Sequence, residues 1–267
     1  MKKGLLYFHQ GMTDIMNCLP LINFYLPRYS DMTVIMRTDS KDLFDYYVAD
    51  KQGVKGVFYS LSELTHNFEN ILKSFSSSEY DFLFHGHLDY YRPPSDPYRE
   101  AFGKLYDPCR DHFIELFYTA YDIPYNTRID CFDFKRDDVH EQKIYDEFVT
   151  KHGSNYAVYH DNPTPGISHR EITFNKQNNT PYINLNLSTP NMLEMIKVIE
   201  HSTGDIHVID SVWCSLCYLL DCRTGLLENR SIYLHPFLPD HRSGGCLRDR
   251  RIQNIEPQQP SNWHILI

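Results

Sequence analysis

Short apolar runs alternate with helical patterns along this chain, and that alternation constrains the fold more than any other feature. Residues 5–9, 33–37, 56–59 and 82–85 read as strands, each a brief apolar stretch bounded by polar or turn residues. Helical spacing fills the intervals at 13–26, 40–50 and 62–76. A second set follows a proline-rich stretch at 90–108 and a helical pattern at Phe113, Leu116, Phe117 and Ala120. It comprises a charged helix over 138–151, strands at 156–159, 182–187, 206–209 and 231–235, and helices from Pro190 and over 212–220. Strands that alternate with helices predict an α/β chain whose parallel sheets carry helices on their faces. The pattern restarts near residue 150, which predicts two lobes, 1–150 and 151–267, the second ending in an irregular tail over 236–262.

Composition narrows the function classes. Of 267 residues, 42% are apolar and 23% charged, enough to build an ordinary buried core. The 20 Tyr and 16 Phe are expected mostly inside that core. A formal charge of −9 gives no global field for holding phosphate backbones, which argues against nucleic acid as the main partner. The run Leu5 to Phe8 after Lys2 and Lys3 is too short for a secretory leader, and no stretch has the length of a membrane span. A cytoplasmic location is expected, in a host cytoplasm if the source is viral. Seven cysteines, an odd number, fit reduced thiols there. Cys214 and Cys217 have the C-x-x-C spacing of a zinc site, but no second pair accompanies them and they sit in an apolar helical run. Buried thiols are the plainer reading, and no metal or cofactor is expected.

In open parallel sheets, ligands bind beyond the carboxyl ends of the strands, so the residues there are the first candidates. After the first strand comes His9-Gln10-Gly11-Met12-Thr13-Asp14. Gly11 would permit a tight turn, and Asp14 at the mouth of the next helix is either a general base for a hydroxyl or a carboxylate favoured by the helix dipole. After the strand at 156–159 comes His160-Asp161-Asn162-Pro163-Thr164-Pro165-Gly166, followed by His169 and Arg170. His160 could donate to a phosphate or a leaving oxygen, and Arg170 could clamp a diphosphate. After the strand at 206–209 come Asp210 and Ser211, the latter a natural N-cap whose helix amides can hold an anion. Asp210 would accept hydrogen bonds from ribose or sugar hydroxyls. The sequence has no G-x-x-x-x-G-K-[ST] loop, no G-x-G-x-x-G after the first strand, no G-x-S-x-G elbow and no D-x-D pair. The tail arginines Arg242, Arg248, Arg250 and Arg251 form a basic cluster that could meet an acidic acceptor.

These residues carry a resemblance. Gly11 to Pro20, with Asp14 ahead of Leu19-Pro20, resembles the first loop and helix of the lipopolysaccharide heptosyltransferases. His207-Val208-Ile209-Asp210-Ser211 ahead of an apolar helix is similar to their donor-site strand and turn. The blocks 156–161 and 206–220 also resemble glycosyltransferase-like proteins of bacteria and large viruses. The resemblance implies a GT-B architecture, an α/β fold of two Rossmann-like lobes facing a central cleft, with the acceptor on the first lobe and the donor on the second. It implies metal-independent, inverting transfer of a sugar from a nucleotide-sugar donor to a glycan hydroxyl. Asp14 and His160 would be catalytic; Gly11, Asp161, Arg170, Asp210, Ser211 and Ser215 would bind the donor. The sequence departs from the family at Thr13, where the family has glycine, and in having Val212, Trp213 and Ser215 where the family has a glycine and a histidine after the donor-site aspartate. The alternative is a non-catalytic carbohydrate- or nucleotide-binding module on the same scaffold.

Overall fold

A computed structural model describes residues 3–8, 11–85, 113–119, 121–161, 172, 180–185, 191–209, 211–235 and 261–265. The chain divides into two compact units, Met1–Lys135 and Arg136–Ile267.

The first unit is built on four parallel strands, β1 (Lys3–Phe8), β2 (Met32–Arg37), β3 (Val54–Tyr59) and β4 (Tyr80–His85), in the order β3-β2-β1-β4. Strands covered on both faces need apolar residues at nearly every position. β1 and β2 meet that demand, with Leu5 to Phe8 and Met32 to Met36 all buried, whereas β3 at the edge is mostly half-buried. On the helical side the described elements are α1 (Met12–Cys18), α2 (Pro20–Tyr25), α3 (Lys41–Tyr47), α4 (Leu61–His66), α5 (Phe68–Lys73), α6 (Phe113–Thr119) and α7 (Thr127–Asp130). α4 and α5 close one face: Leu64, Phe68 and Ile71 pack with Leu5, Tyr7 and Ile35, and the Tyr7 and Phe68 rings lie 4.7 Å apart. Two helices expected to be continuous are each broken in two. Pro20 has no amide hydrogen to continue α1, so it opens α2 at its first position instead. Asn67, at φ −128° and ψ 14°, leaves helical geometry between α4 and α5. Gly53 has φ +77°, its carbonyl accepts the Met32 amide at 2.8 Å, and a Cβ there would stand 2.3 Å from the Ser30 carbonyl oxygen.

The second unit carries five parallel strands, β5 (Ala157–His160), β6 (Tyr182–Asn184), β7 (Ile206–Ile209), β8 (Ile232–His235) and β9 (Trp263–Ile265), in the order β6-β5-β7-β8-β9. Its helices are α8 (Asp138–His152), α9 (Ile196–Glu200), entered through a 3-10 turn at Met192–Met195, and α10 (Val212–Thr224). The helix over 138–152 lies in this unit, so the division falls ahead of it, where the sequence pattern set the limit at 150. An ion cluster fastens it there. Arg136 Nε donates to both carboxylate oxygens of fully buried Glu141 at 3.0 Å, and Arg136 Nη2 reaches Glu200 of α9 at 3.1 Å. Burial pulls the Arg136 guanidinium down, but Glu141 and then Glu200 outweigh it and hold it above its usual value.

α10 buries Trp213, Cys214, Leu216, Cys217, Tyr218, Leu219, Leu220 and Asp221, and ends at Gly225 in the left-handed conformation, φ +66°. Cys214 and Cys217 are buried thiols outside any disulfide, and burial followed by the Asp221 charge pushes Cys217 up to about 12. Asp221 also places β9, a strand the sequence pattern did not announce. It accepts the Trp263 indole N–H at 2.9 Å, the Asn262 amide at 3.1 Å and the Leu227 backbone N–H at 3.2 Å. Among the described residues no helix is long and apolar enough to cross a membrane.

One face of the second sheet is apolar, with Val158, Ile206, Val208, Ile232 and Leu234 at most 3% exposed. The other carries a row of rings: His207 stacks on Tyr233 at 4.8 Å, and Tyr233 on His264 at 4.9 Å. His207 Nδ1 and His235 Nε2 lie 2.9 Å apart, both side chains buried. Burial, and then the charge His235 would carry, lower His207 to about 4. A histidine depressed in the folded state favours folding above its unfolded value near 6.5, and that contribution is lost as pH falls toward 4. Urea unfolding of the wild type and His207→Phe at pH 7.5 and pH 4.5 should therefore show the wild type losing about 2 to 3 kcal/mol more than the variant. Equal losses would mean that His207 does not set the acid limit.

Candidate functional site

Strand order fixes where each unit can hold a ligand. In the first sheet the chain winds from β1 to β2 and β3 on one side, then returns to place β4 on the other side of β1. The carboxyl ends of β1 and β4, where Phe8 and His85 are register partners, therefore mark the switch point of this sheet. In the second sheet the same reversal falls between β5 and β7, so its switch point lies beside His160 and Ile209. Every described candidate residue from the sequence lies on a segment leaving one of these two switch points.

At the first switch point Gly11 is the N-cap of α1 and Asp14 stands in its first turn, half-buried. Gly11 has φ −77° and ψ 140°, a conformation any residue adopts, so its backbone does not require glycine. The helix carrying Asp14 is held from behind. Buried Asn17 donates from Nδ2 to the Thr13 carbonyl at 2.8 Å, and its Oδ1 accepts from Arg128 Nη1 at 3.2 Å. The Tyr118 hydroxyl donates to the Asn17 carbonyl, and the Arg128 guanidinium lies 4.2 Å from the Tyr125 ring centre. Burial pushes the Tyr125 phenol up to about 12 against the opposing pull of Arg128, so this girdle is neutral apart from the arginine at ordinary pH. His85 ends β4 and is fully buried. Its Nε2 lies 3.0 Å from the Tyr25 hydroxyl, its Nδ1 meets the Phe117 carbonyl, and the Tyr121 ring sits 4.2 Å away. A carbonyl can only accept, so Nδ1 carries a hydrogen and neutral His85 accepts at Nε2 from Tyr25. Sequence reasoning did not single out His85, Asn17 or Arg128. His85 ends an apolar strand, and that position was the available signal.

At the second switch point three strand ends are tied together. Ser211 Oγ and His160 Nδ1 lie 3.0 Å apart, joining the end of β5 to the segment after β7. Asn184 Nδ2, at the end of β6, donates to Asp161 Oδ1 at 2.7 Å. His160 is 5% exposed and its ring centre is 6.2 Å from the buried ring of Trp213. His160 is thus buried beside Ser211, whose hydroxyl its Nδ1 meets. Ser211 occupies the N-cap position of α10 in extended conformation, but its hydroxyl does not cap the helix. The capping role read from the sequence thus holds for the backbone and fails for the side chain, because the hydroxyl is engaged by His160. Ser215 lies one turn further along α10, and its amide bonds to the Ser211 carbonyl at 3.1 Å. Residues four apart share a helix face, so Ser215 continues the polar surface begun by Ser211. Arg170 and Asp210 lie outside the described residues. Among the described residues no group of three or more His, Cys, Asp or Glu could hold a metal ion.

Solved structures match this arrangement across the full chain. A glycosyl transferase family 9 structure from Veillonella parvula DSM 2008 superposes with a TM-score of 0.54, over 99% of this chain and 86% of that one, at 9% identity. The ADP-heptose lps heptosyltransferase II of E. coli gives a TM-score of 0.53, over 100% of this chain and 90% of that one, at 11% identity. The fold is that of these glycosyltransferases. The GT-B-type architecture expected from the sequence, α/β with two parallel sheets, is therefore the fold of this protein. No protein-family model matches the chain, and no curated protein matches its sequence.

Proposed function

We propose that this protein is a glycosyltransferase that moves a sugar from a nucleotide-sugar donor to a hydroxyl of a glycan acceptor. The observation that carries the reading is the convergence of His160, Asp161 and Ser211 on the switch point of the second sheet, in a chain with a glycosyltransferase fold throughout its length. In this reading the first unit takes the acceptor and the second the donor. Asp14 is the general base, taking the proton of the acceptor hydroxyl as it attacks the anomeric carbon. The first turn of α10, a 13-residue helix, faces the donor diphosphate with its positive end, and Arg170 supplies the neutralising cation. Asp161, Asp210, Ser211 and Ser215 line the donor with acceptors and hydroxyls suited to ribose or sugar. Gly11 keeps the entrance of the first switch point free of a side chain. Direct displacement by an acceptor hydroxyl inverts the anomeric configuration, and stabilisation by a helix terminus and a guanidinium requires no metal. One solved neighbour is an ADP-heptose enzyme, which favours a nucleoside diphosphate as the carrier here.

The test is a thermal-shift panel of UDP, GDP, ADP, CMP and their common sugar conjugates, repeated with EDTA. A ligand that binds only the folded protein raises the melting temperature by mass action. One nucleoside diphosphate is expected to raise it by several degrees at saturating concentration, unaffected by EDTA. A folded protein that shifts with none of them would overturn the reading, and a shift abolished by EDTA would overturn its metal-independent form.

A further inference from the structure

An N-cap serine ordinarily turns its hydroxyl onto an amide two or three residues ahead, and two ahead of Ser211 is Trp213. Ser211 holds the N-cap position of α10 but does not make that bond. Its hydroxyl is instead 3.0 Å from Nδ1 of His160, a residue 51 positions away on the neighbouring strand and 5% exposed. The imidazole stands at the last position of β5, beside Val208 of β7, so the strand pairing itself fixes its distance from Ser211. Ser211 in turn has an extended backbone, φ −151° and ψ 177°, which starts the helix while leaving the side chain free to choose between its own helix and its neighbour.

We propose that His160 is a positioning residue that draws the Ser211 hydroxyl off the start of α10, so that it does not compete with the donor diphosphate for the Trp213 amide. This rests on the donor-site reading above and assigns a role within it. A direct acid would have to reach the leaving oxygen, whereas His160 is 5% exposed and its Nδ1 already meets Ser211. As a hydrogen-bond partner for Ser211, in contrast, His160 needs only the nitrogen that already faces the hydroxyl. Without that partner, Ser211 would swing onto its own helix and occupy an amide that the diphosphate uses.

The prediction has an unusual sign. Titrations of the full chain with UDP, GDP and ADP, each in turn, should find binding by the wild type to at least one. His160→Leu should weaken it tenfold or more. Removing the hydroxyl as well, in His160→Leu/Ser211→Ala, should restore at least threefold, because nothing is left to cap the helix. His160→Asn, whose side-chain amide sits where Nδ1 was, should bind within threefold of the wild type. His160→Gln, whose amide lies farther out, should resemble His160→Leu. Unchanged affinity in His160→Leu, or a double variant no tighter than the single, would overturn the proposal. Should His160→Leu fail to fold, the contrast between His160→Asn and His160→Gln decides, and equal affinities overturn it. Wild-type protein that binds none of the three would remove the donor-site reading and this inference together. Binding by the wild type that is indifferent to residue 160 would remove only the inference.

Discussion

Asp14→Asn is expected to lower turnover by roughly 10²- to 10⁴-fold, the usual contribution of a positioned general base, while leaving the affinity for donor nearly unchanged. The amide is isosteric and keeps the first turn of α1, but it cannot take a proton from an attacking hydroxyl. The structural support for Asp14 lies behind it, in the Asn17–Arg128 and Tyr118–Asn17 hydrogen bonds, and none of these involves the carboxylate. Circular dichroism and donor titration on the same sample separate folding and binding from chemistry. A rate in the variant close to that of the wild type would remove Asp14 from the mechanism and reduce it to a helix-dipole residue.

The largest effect on stability is expected from Arg136→Met. Glu141 is fully buried, and Arg136 is the cation that meets both its oxygens. Losing the guanidinium leaves a buried carboxylate without its ion-pair partner, a change that typically costs about 3 to 5 kcal/mol. Part of the Arg136 side chain reaches solvent, so the lower end of that range is expected here. Denaturant unfolding followed by the fluorescence of Trp213 and Trp263, both in the second unit, measures it. The double variant Arg136→Met/Glu141→Gln should recover most of the loss, since a neutral amide no longer demands a cation. A single variant as stable as the wild type would show that the cluster contributes nothing to holding α8.

The sequence revealed elements wherever local composition alone decided them. The run at 206–209 stands out because it is apolar on both sides of a single histidine and ends at Asp210-Ser211, and β7 occupies those four residues. Helix α10 runs past the expected limit at 220 to Thr224, because Asp221 is buried by its bonds to Asn262 and Trp263 and not turned to water. β9 was invisible for the same reason. Three residues give no periodicity, and what places them is a carboxylate 42 positions earlier. The helix breaks at Pro20 and Asn67 differ in legibility: the proline is a known interruption, whereas nothing local distinguishes Asn67.

At the candidate site, residue positions were legible and contacts were not. His160 and Ser211 each follow an apolar run, which suffices to put them at strand ends. Their hydrogen bond depends on β5 and β7 being neighbours, a fact of strand order that spacing along the chain does not contain. The Asn17–Arg128 bond spans 111 residues and was hidden in the same way. Gly11 differs again, because its backbone conformation is one that needs no glycine.

In the proposed donor site a nucleoside diphosphate sits at the switch point of the second sheet, over the start of α10. Calorimetric titration of the wild type and Ser211→Trp with the nucleoside diphosphate selected by the thermal-shift panel tests it most directly. A tryptophan at this half-buried position crowds the start of α10 while leaving the buried face of the helix intact. Clear binding by the wild type is expected, with at least a tenfold loss in a variant whose helix content is unchanged. Equal affinity in the two proteins would contradict it and place the ligand elsewhere.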